Sequence, residues 1–235
     1  MRLLAGAHDA FPDRAASYTD TAMCWPFSDA FRRQVAGRCA AFSRVAAPDG
    51  SAGLKRAAVA ITLLPLEERG AQPAAAGFLL TRRAKGLRGH GGQWALPGGR
   101  CEARETSAQA ALRELAEEVG IALQADAVLG LLDDYPTRSG YLITPVVLWA
   151  GLGQALRADP SEVASIHRIG LSELTRKDVA DFVSIPESDR RVIRLRLYGG
   201  FLHAPTAAVL YQFGELLEGR TTRVADLEQP VFAWR

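Results

Sequence analysis

Strand-length apolar runs alternate with capped, amphipathic helical segments along most of this chain, and that alternation restricts it to an α/β architecture. "AAVAITLLPL" and "AAGFLLTRR" read as strands separated by a polar turn. Between Lys85 and Gly99 the chain becomes loop-like, with six glycines in fifteen residues. A helix follows, with Thr106 as N-cap, Gln109 completing a capping box and Gly120 as its C-terminal stop. "AVLGLLDDYP" and "YLITPVVLWAG" form a predicted hairpin around "TRSG", and "DPSEVASIHRIGLSEL" reads as an acidic connection into a short helix. "RRVIRLRLY" alternates as a strand should, and a last helix carries Val209, Leu210, Phe213, Leu216 and Leu217 on one apolar stripe. Ahead of all this, "FSDAFRRQVAGRCAAF" is an amphipathic helix capped by Ser28, with Phe31, Val35, Cys39 and Phe42 on one side. "APDGSAG" reads as a flexible linker. The expected organisation is an N-terminal extension with one amphipathic helix over residues 1–50 and a domain with a C-terminal helix over 51–235.

At 235 residues the chain fits one medium domain with extensions, and 48% hydrophobic residues are enough for a sizeable core. A formal charge of +2 argues against a dedicated nucleic-acid or membrane binder. Cys24, Cys39 and Cys101 show no CxxC spacing, which argues against a disulfide framework or a zinc cluster. No window approaches 18 apolar residues, and Asp9, Asp13 and Asp20 are unlike a transit peptide, so the expected location is the cytoplasm. Residues 1–22 read as a loose extension, with Met23 as an alternative start; a homodimer is left open.

The segment "GGRCEARETSAQAALRELAEEVGI" carries five glutamates, three of them crowded as Glu114, Glu117 and Glu118. At about 100° per residue these three share an arc of ~100°, while Ala108, Leu112, Leu115 and Val119 gather on the side expected to face a core. Glu114 and Glu118 repel at i,i+4, and Arg113, four residues before Glu117, cannot neutralise three carboxylates alone. The spacing allows a solvated acidic face or a site for a hard cation such as Mg²⁺ or Mn²⁺, which takes oxygen ligands.

From Gly99 the stretch reads G-x5-E-x7-R-E-U-x-E-E-x-G-U, where U is a bulky aliphatic, filled by Gly99, Glu105, Arg113, Glu114, Leu115, Glu117, Glu118, Gly120 and Ile121. This resembles the Nudix box of the Nudix hydrolase superfamily at all nine specified positions. The resemblance implies an α/β/α sandwich around a mixed β-sheet, and hydrolysis of a nucleoside diphosphate linked to another group with Mg²⁺ or Mn²⁺. Carried over by position, it makes Glu114, Glu117 and Glu118, with the Gly99 carbonyl, the metal ligands. Glu118 becomes a candidate to activate water, Arg113 the residue that orients the glutamates, and Glu105 a structural brace. Metals suit that chemistry because they neutralise the pyrophosphate and lower the pKa of bound water.

Upstream, "LLTRRAKGLRGHGGQWALPGG" is similar to the LLTxR(S/A)x3Rx3Gx3FPGG pattern of the coenzyme A diphosphatase branch of that family, with Leu96 where the pattern has Phe. This implies coenzyme A or an acyl derivative as substrate, with 3′,5′-ADP and 4′-phosphopantetheine as products. ADP-ribose, dinucleotides or modified nucleoside triphosphates are the alternative substrates, and a nucleotide-sensing domain without catalysis is the rival class. Arg82, Arg83, Lys85 and Arg88 concentrate positive charge that suits phosphates, and Arg83, Arg88, Gly92 and Gly98 are the expected substrate contacts. The expected partner is a small-molecule nucleotide, with no nucleic acid and no membrane. His90 reads as a phosphate contact or an exposed side chain, and Trp94, Trp149 and Trp234 as core residues. Tyr135 is a candidate to face ligand. Asp133, Asp134 and Glu187 are outlying base candidates or turn and surface residues. Cys101, His167 and His203 are assigned no role.

Overall fold

The computed structural model describes residues 25–67, 74–87 and 91–233. The readings placed on residues 1–22 and on Met23, Cys24, Arg88, His90 and Trp234 lie outside these.

The elements run α1 (Asp29–Ala41), β1 (Lys55–Pro65), β2 (Ala76–Arg83), β3 (Trp94–Ala95), β4 (Gly98–Arg100), α2 (Ser107–Val119), β5 (Val128–Leu131), β6 (Tyr135–Pro136) and β7 (Tyr141–Trp149). They continue as β8 (Val163–Gly170), β9 (Ala180–Ile185), β10 (Ser188–Leu197), β11 (Gly200–His203) and α3 (Thr206–Leu217). Strands β3-β2-β1-β7-β5 form the backbone of a mixed sheet, to which β4, β6 and β8 add through β1, β7 and β2. Among the described strands only β1 and β7 pair in parallel, from Lys55↔Tyr141 to Leu63↔Trp149. The expected hairpin around "TRSG" is present, with Tyr135 opposite Ile143.

Alternation along the strands sorts side chains onto two apolar layers. On one face Ala58, Ala60, Leu79, Val146 and Leu148 meet Ala110, Ala111, Leu115 and Val119 of α2. On the other, Ile61, Leu63, Phe78, Leu80 and Val147 share a cluster with Phe31, Val35 and Cys39 of α1 and Val209, Leu210 and Phe213 of α3. The result is an α/β/α sandwich around a mixed sheet. Fully burying Leu115 alone contributes roughly 2 kcal/mol.

α2 has the caps expected of it. Thr106 Oγ1 accepts the Gln109 amide, the Thr106 amide donates to Gln109 Oε1, and Gly120 ends the helix at φ 78°. Its buried arc differs from the expected one. Ala108 and Leu112 are half-buried, and Glu118 lies on the covered side with the core residues. The reason is angular: Glu118 is only about 60° from Leu115 along the helix wheel, so a wide interface takes in both.

The stretch expected to be an acidic connection into a short helix is instead a turn followed by strand β8, with only a single 3-10 turn at Leu171–Glu173. The edge of β2 offers hydrogen-bonding groups from Gly77 to Arg83, and β8 pairs along all of it. β9, β10 and β11 form a second, antiparallel sheet, only part of which was legible as "RRVIRLRLY".

The expected flexible linker is a set of hydrogen-bonded turns fixed to the domain. Val45 and Ala47 donate their amides to Asp133 Oδ1 and Asp134 Oδ2, while Arg44 bonds Asp134 and the Leu132 carbonyl. Arg223 reaches both Asp133 oxygens from the C-terminal side, and buried Gln212 of α3 donates to Asp133 Oδ2. The two aspartates are therefore structural clamps, neither catalytic bases nor simple turn formers. Asp133 is 2% exposed and satisfied by groups from three distant segments, so its removal strands the buried Gln212 amide and two partly buried donors, the Val45 amide and the Arg223 guanidinium. Asp133→Ala should lower unfolding stability by roughly 2–4 kcal/mol, read from urea denaturation of both proteins; a loss under about 0.5 kcal/mol, the surface-substitution range, would contradict the clamp.

Candidate active site

β1 shares one edge between two partners. Its end pairs with β2 (Leu63↔Phe78) and its start with β4 (Ala57↔Arg100 to Val59↔Gly98). The "PGG" turn is thereby inserted into the sheet directly beneath α2, and two glycines allow this close approach for different reasons. A Cβ on Gly98 would stand 2.3 Å from the Ala58 carbonyl oxygen, so backbone packing against β1 accounts for this residue, which the sequence suggested as a substrate contact. A Cβ on Gly99 would stand 2.2 Å from Glu114 Oε1: the Glu114 carboxylate lies directly on the Gly99 backbone.

Arg113 organises the acidic helix. Its guanidinium forms a fork with Glu105 (Nε to Oε1 3.0 Å, Nη2 to Oε2 3.1 Å), while Nη1 reaches Glu114 Oε1 at 2.8 Å and Glu117 Oε2 at 3.0 Å. Nη2 also donates to the Arg100 carbonyl. These hydrogen bonds, led by Glu105, hold Arg113 firmly protonated, and the same pair lowers the Glu105 pKa. Glu105 also accepts the Glu102 amide, so it ties the loop to the helix through Arg113.

The three glutamates have different surroundings. Glu117 is 60% exposed at its side chain, and Glu114 is largely covered, with burial the main cause of its raised pKa. Glu118 is 4% exposed and forms no ion pair among the described residues. Burial pushes its pKa up to about 8; the Glu114 charge adds to this, and Arg83 and the Gly98 amide act against it. Among the described residues no three His, Cys, Asp or Glu side chains are gathered closely enough to enclose an ion, and Arg113 holds Glu114 and Glu117. The donors nevertheless suit a hard divalent cation. They are carboxylate oxygens beside a glycine carbonyl, on a backbone cradle that a Cβ would fill.

The tandem arginines part company at the end of β2. Arg82 donates from Nε to the Gly92 carbonyl and lays its guanidinium 5.6 Å from the Trp94 ring. Trp94 also meets His167 edge-on, so this cluster packs the loop. Arg83 points to the α2 face, where its charge acts on Glu118, and its Nε is buried with no hydrogen-bond partner among the described residues. Gly92 takes φ 75°, and its amide donates to the Arg83 carbonyl, so it sets the turn beneath Arg83. Lys85 is exposed. Leu96, where the resembled pattern has Phe, is buried in the core. Tyr135, a candidate to face ligand, is fully buried and donates its hydroxyl to the Leu227 carbonyl. Trp149 stacks on Phe27 at 4.1 Å in the core, and Glu187 is an exposed turn residue. Sequence reasoning missed Glu162, whose charge acts on both Glu114 and Glu118.

Three comparisons complete the picture. The family model described as NUDIX domain matches residues 55–186. An uncharacterized Nudix hydrolase NudL from Photorhabdus laumondii is 47% identical over 97 residues, covering 41% of this chain and 52% of that protein. Another from Citrobacter koseri is 40% identical over 118 residues, covering 50% and 59%. The chain thus matches about half the length of these curated relatives. Among solved structures, a Caenorhabditis elegans Ap4A hydrolase binary complex aligns at TM-score 0.46 and 15% identity, covering 69% of this chain and 98% of that one. The NUDIX domain of Shewanella oneidensis NrtR complexed with ADP ribose aligns at 0.37 and 20%, covering 52% and 75%.

The Glu118 environment has a consequence for pH. A carboxyl whose folded pKa is raised favours the fold in its protonated form. The penalty for ionising it is absent below its ordinary 4.5, grows with pH and is complete above about 8. Without divalent metal, the protein should lose thermal stability across this window, and Glu118→Gln should flatten the loss. Melting curves at pH 5 to 8.5 in chelator test this, and parallel pH profiles for the two proteins would contradict it.

Proposed function

We propose that this chain, which belongs to the Nudix family, is a divalent-metal-dependent pyrophosphohydrolase that acts on coenzyme A or an acyl derivative. The observation that carries the reading is the pairing of a complete Nudix box on α2 with Arg83, the arginine of the coenzyme A pattern, whose charge reaches Glu118. Leu96, the one departure noted in that pattern, is a core packing position.

In this reading Glu114, Glu117 and Glu118, with the Gly99 carbonyl, hold Mg²⁺ or Mn²⁺, which neutralises pyrophosphate charge and makes water a better nucleophile. The chain's own residues prepare that site. Arg113 and Glu105 fix the carboxylates, and covered Glu118 is the candidate to take a proton from the attacking water. Arg83 faces the phosphates with a planar donor set, and Arg88 supplies a further cation from the same loop. Water oxygen bonds one phosphorus, the bridging P–O bond breaks, and the products are 3′,5′-ADP and 4′-phosphopantetheine. Residues 1–50 are taken as an extension of the catalytic unit formed by 51–235.

Incubation with Mg²⁺ and product identification by mass spectrometry test the assignment. Coenzyme A should be cleaved, and Glu118→Gln should reduce kcat by roughly 10² or more. Dephospho-coenzyme A should react with a higher KM, and Arg83→Ala should lose much of that discrimination. Faster turnover of ADP-ribose or dinucleotides than of coenzyme A would overturn the substrate, and full activity in Glu118→Gln would overturn the metal assignment.

A further inference from the structure

Three strand ends meet beside the glycine turn, on the sheet face opposite α2. β4 pairs Arg100 with Ala57 of β1, and β1 pairs Lys55 with Tyr141 of β7. Alternation along β1 puts Lys55 and Ala57 on the side of Ile61 and Leu63, away from the α2 layer that takes Ala58 and Ala60. Arg100 therefore leaves the sheet on the face opposite the Glu114 carboxylate, although it follows Gly99 directly. Its guanidinium lies over the Tyr141 ring, 5.2 Å from the ring centre.

Both residues are fixed through their backbones. The Arg100 carbonyl accepts Arg113 Nη2, and the next amide, of Cys101, donates to the Arg56 carbonyl. Tyr141 donates its amide to Thr137 Oγ1, and its carbonyl accepts the Thr137 amide and hydroxyl. The side chains, by contrast, stay available. Arg100 is exposed and Tyr141 half-buried, and beyond their mutual contact neither side chain has a hydrogen bond or ion pair among the described residues. Neighbouring arginines are committed: Arg56 bonds the Glu105 carbonyl and Ser107, and Arg138 pairs with Glu228. A guanidinium held against an aromatic ring keeps its outer face open to a second planar group.

We propose that Arg100 and Tyr141 form a ledge for the base of the substrate's adenosine moiety: the base stacks on the open face of the Arg100 guanidinium, which Tyr141 positions from beneath. This rests on the pyrophosphohydrolase reading above, in which the phosphates lie at the ion beside Gly99. The chemistry selects the nucleotide arm, because adenine offers a π-face to a guanidinium plane and the pantetheine arm has none. Coenzyme A and ADP-ribose share that arm, so the ledge suits either substrate. Arg100 is exposed and makes no side-chain hydrogen bond among the described residues, so its replacement leaves the fold its own contacts.

The test is calorimetric binding of AMP and of ribose 5-phosphate to the full chain, for the parent, Arg100→Ala, Arg100→Lys, Tyr141→Phe and Tyr141→Leu, beside steady-state kinetics on coenzyme A. The parent should bind AMP more tightly than ribose 5-phosphate. Arg100→Ala should weaken AMP roughly tenfold and leave ribose 5-phosphate nearly unchanged, with KM for coenzyme A raised by the same factor and kcat kept. Arg100→Lys retains the charge without the plane and should stay close to Arg100→Ala; Tyr141→Phe should match the parent, and Tyr141→Leu should fall between. Unchanged AMP affinity in Arg100→Ala, or no preference for AMP in the parent, would overturn the ledge. Equal weakening of AMP and ribose 5-phosphate, or full recovery in Arg100→Lys, would make Arg100 a simple charge and likewise overturn it. Selective loss of AMP affinity in a chain that leaves coenzyme A intact would support the ledge and overturn the substrate reading alone.

Discussion

One guanidinium shared among three carboxylates is the interaction on which the site depends. Arg113 is locked by Glu105, and its remaining donors draw Glu114 and Glu117 toward the same point. Each charge-assisted hydrogen bond is stronger than a neutral one, and the Glu105 fork fixes direction as well as energy. Yet the charge count does not close. Glu118 is left covered with only Arg83 and the Gly98 amide acting in its favour. The fold thus stores a local excess of negative charge that a divalent cation, and not a further side chain, is suited to relieve.

That excess is placed where it can act because of how the sheet is built. β1 gives up its edge partway along, taking β2 at one end and β4 at the other, and the glycine turn enters the gap under α2. Without a Cβ at Gly98 the turn can approach β1, and without one at Gly99 the Glu114 carboxylate can lie on the backbone. Behind the sheet, α1 and α3 fill the opposite layer, and the Asp133–Asp134 clamp joins the chain before β1 to the segment after α3. The family match ends at residue 186, so part of this second layer and most of the three-stranded sheet lie beyond it.

Local chemistry was legible in the sequence where the controlling partners are near in the chain. The caps of α1 and α2 and the hairpin around "TRSG" all depend on residues within about ten positions. Long-range partners hid the rest. Asp133 and Asp134 look like turn formers until Arg44 and Arg223 arrive from about ninety residues away on either side. "DPSEVASIHRI" carries acidic turn residues that mask its strand, which only the edge of β2 calls into being. Tyr135, apparently poised beside a turn, is buried by the C-terminal segment. The coenzyme A pattern specifies Arg83 and leaves Arg82 open, and in the fold Arg82 packs on Trp94 while the charge of Arg83 acts on Glu118.

The central claim is that a divalent cation sits between α2 and the glycine turn. Crystals grown with Mn²⁺ and measured near its absorption edge test it most directly. The account predicts an anomalous peak in contact with the Gly99 carbonyl and the carboxylates of Glu114 and Glu118, with Arg113 still held by Glu105. A peak located elsewhere, or its absence at this position with Mn²⁺ in excess, would contradict it.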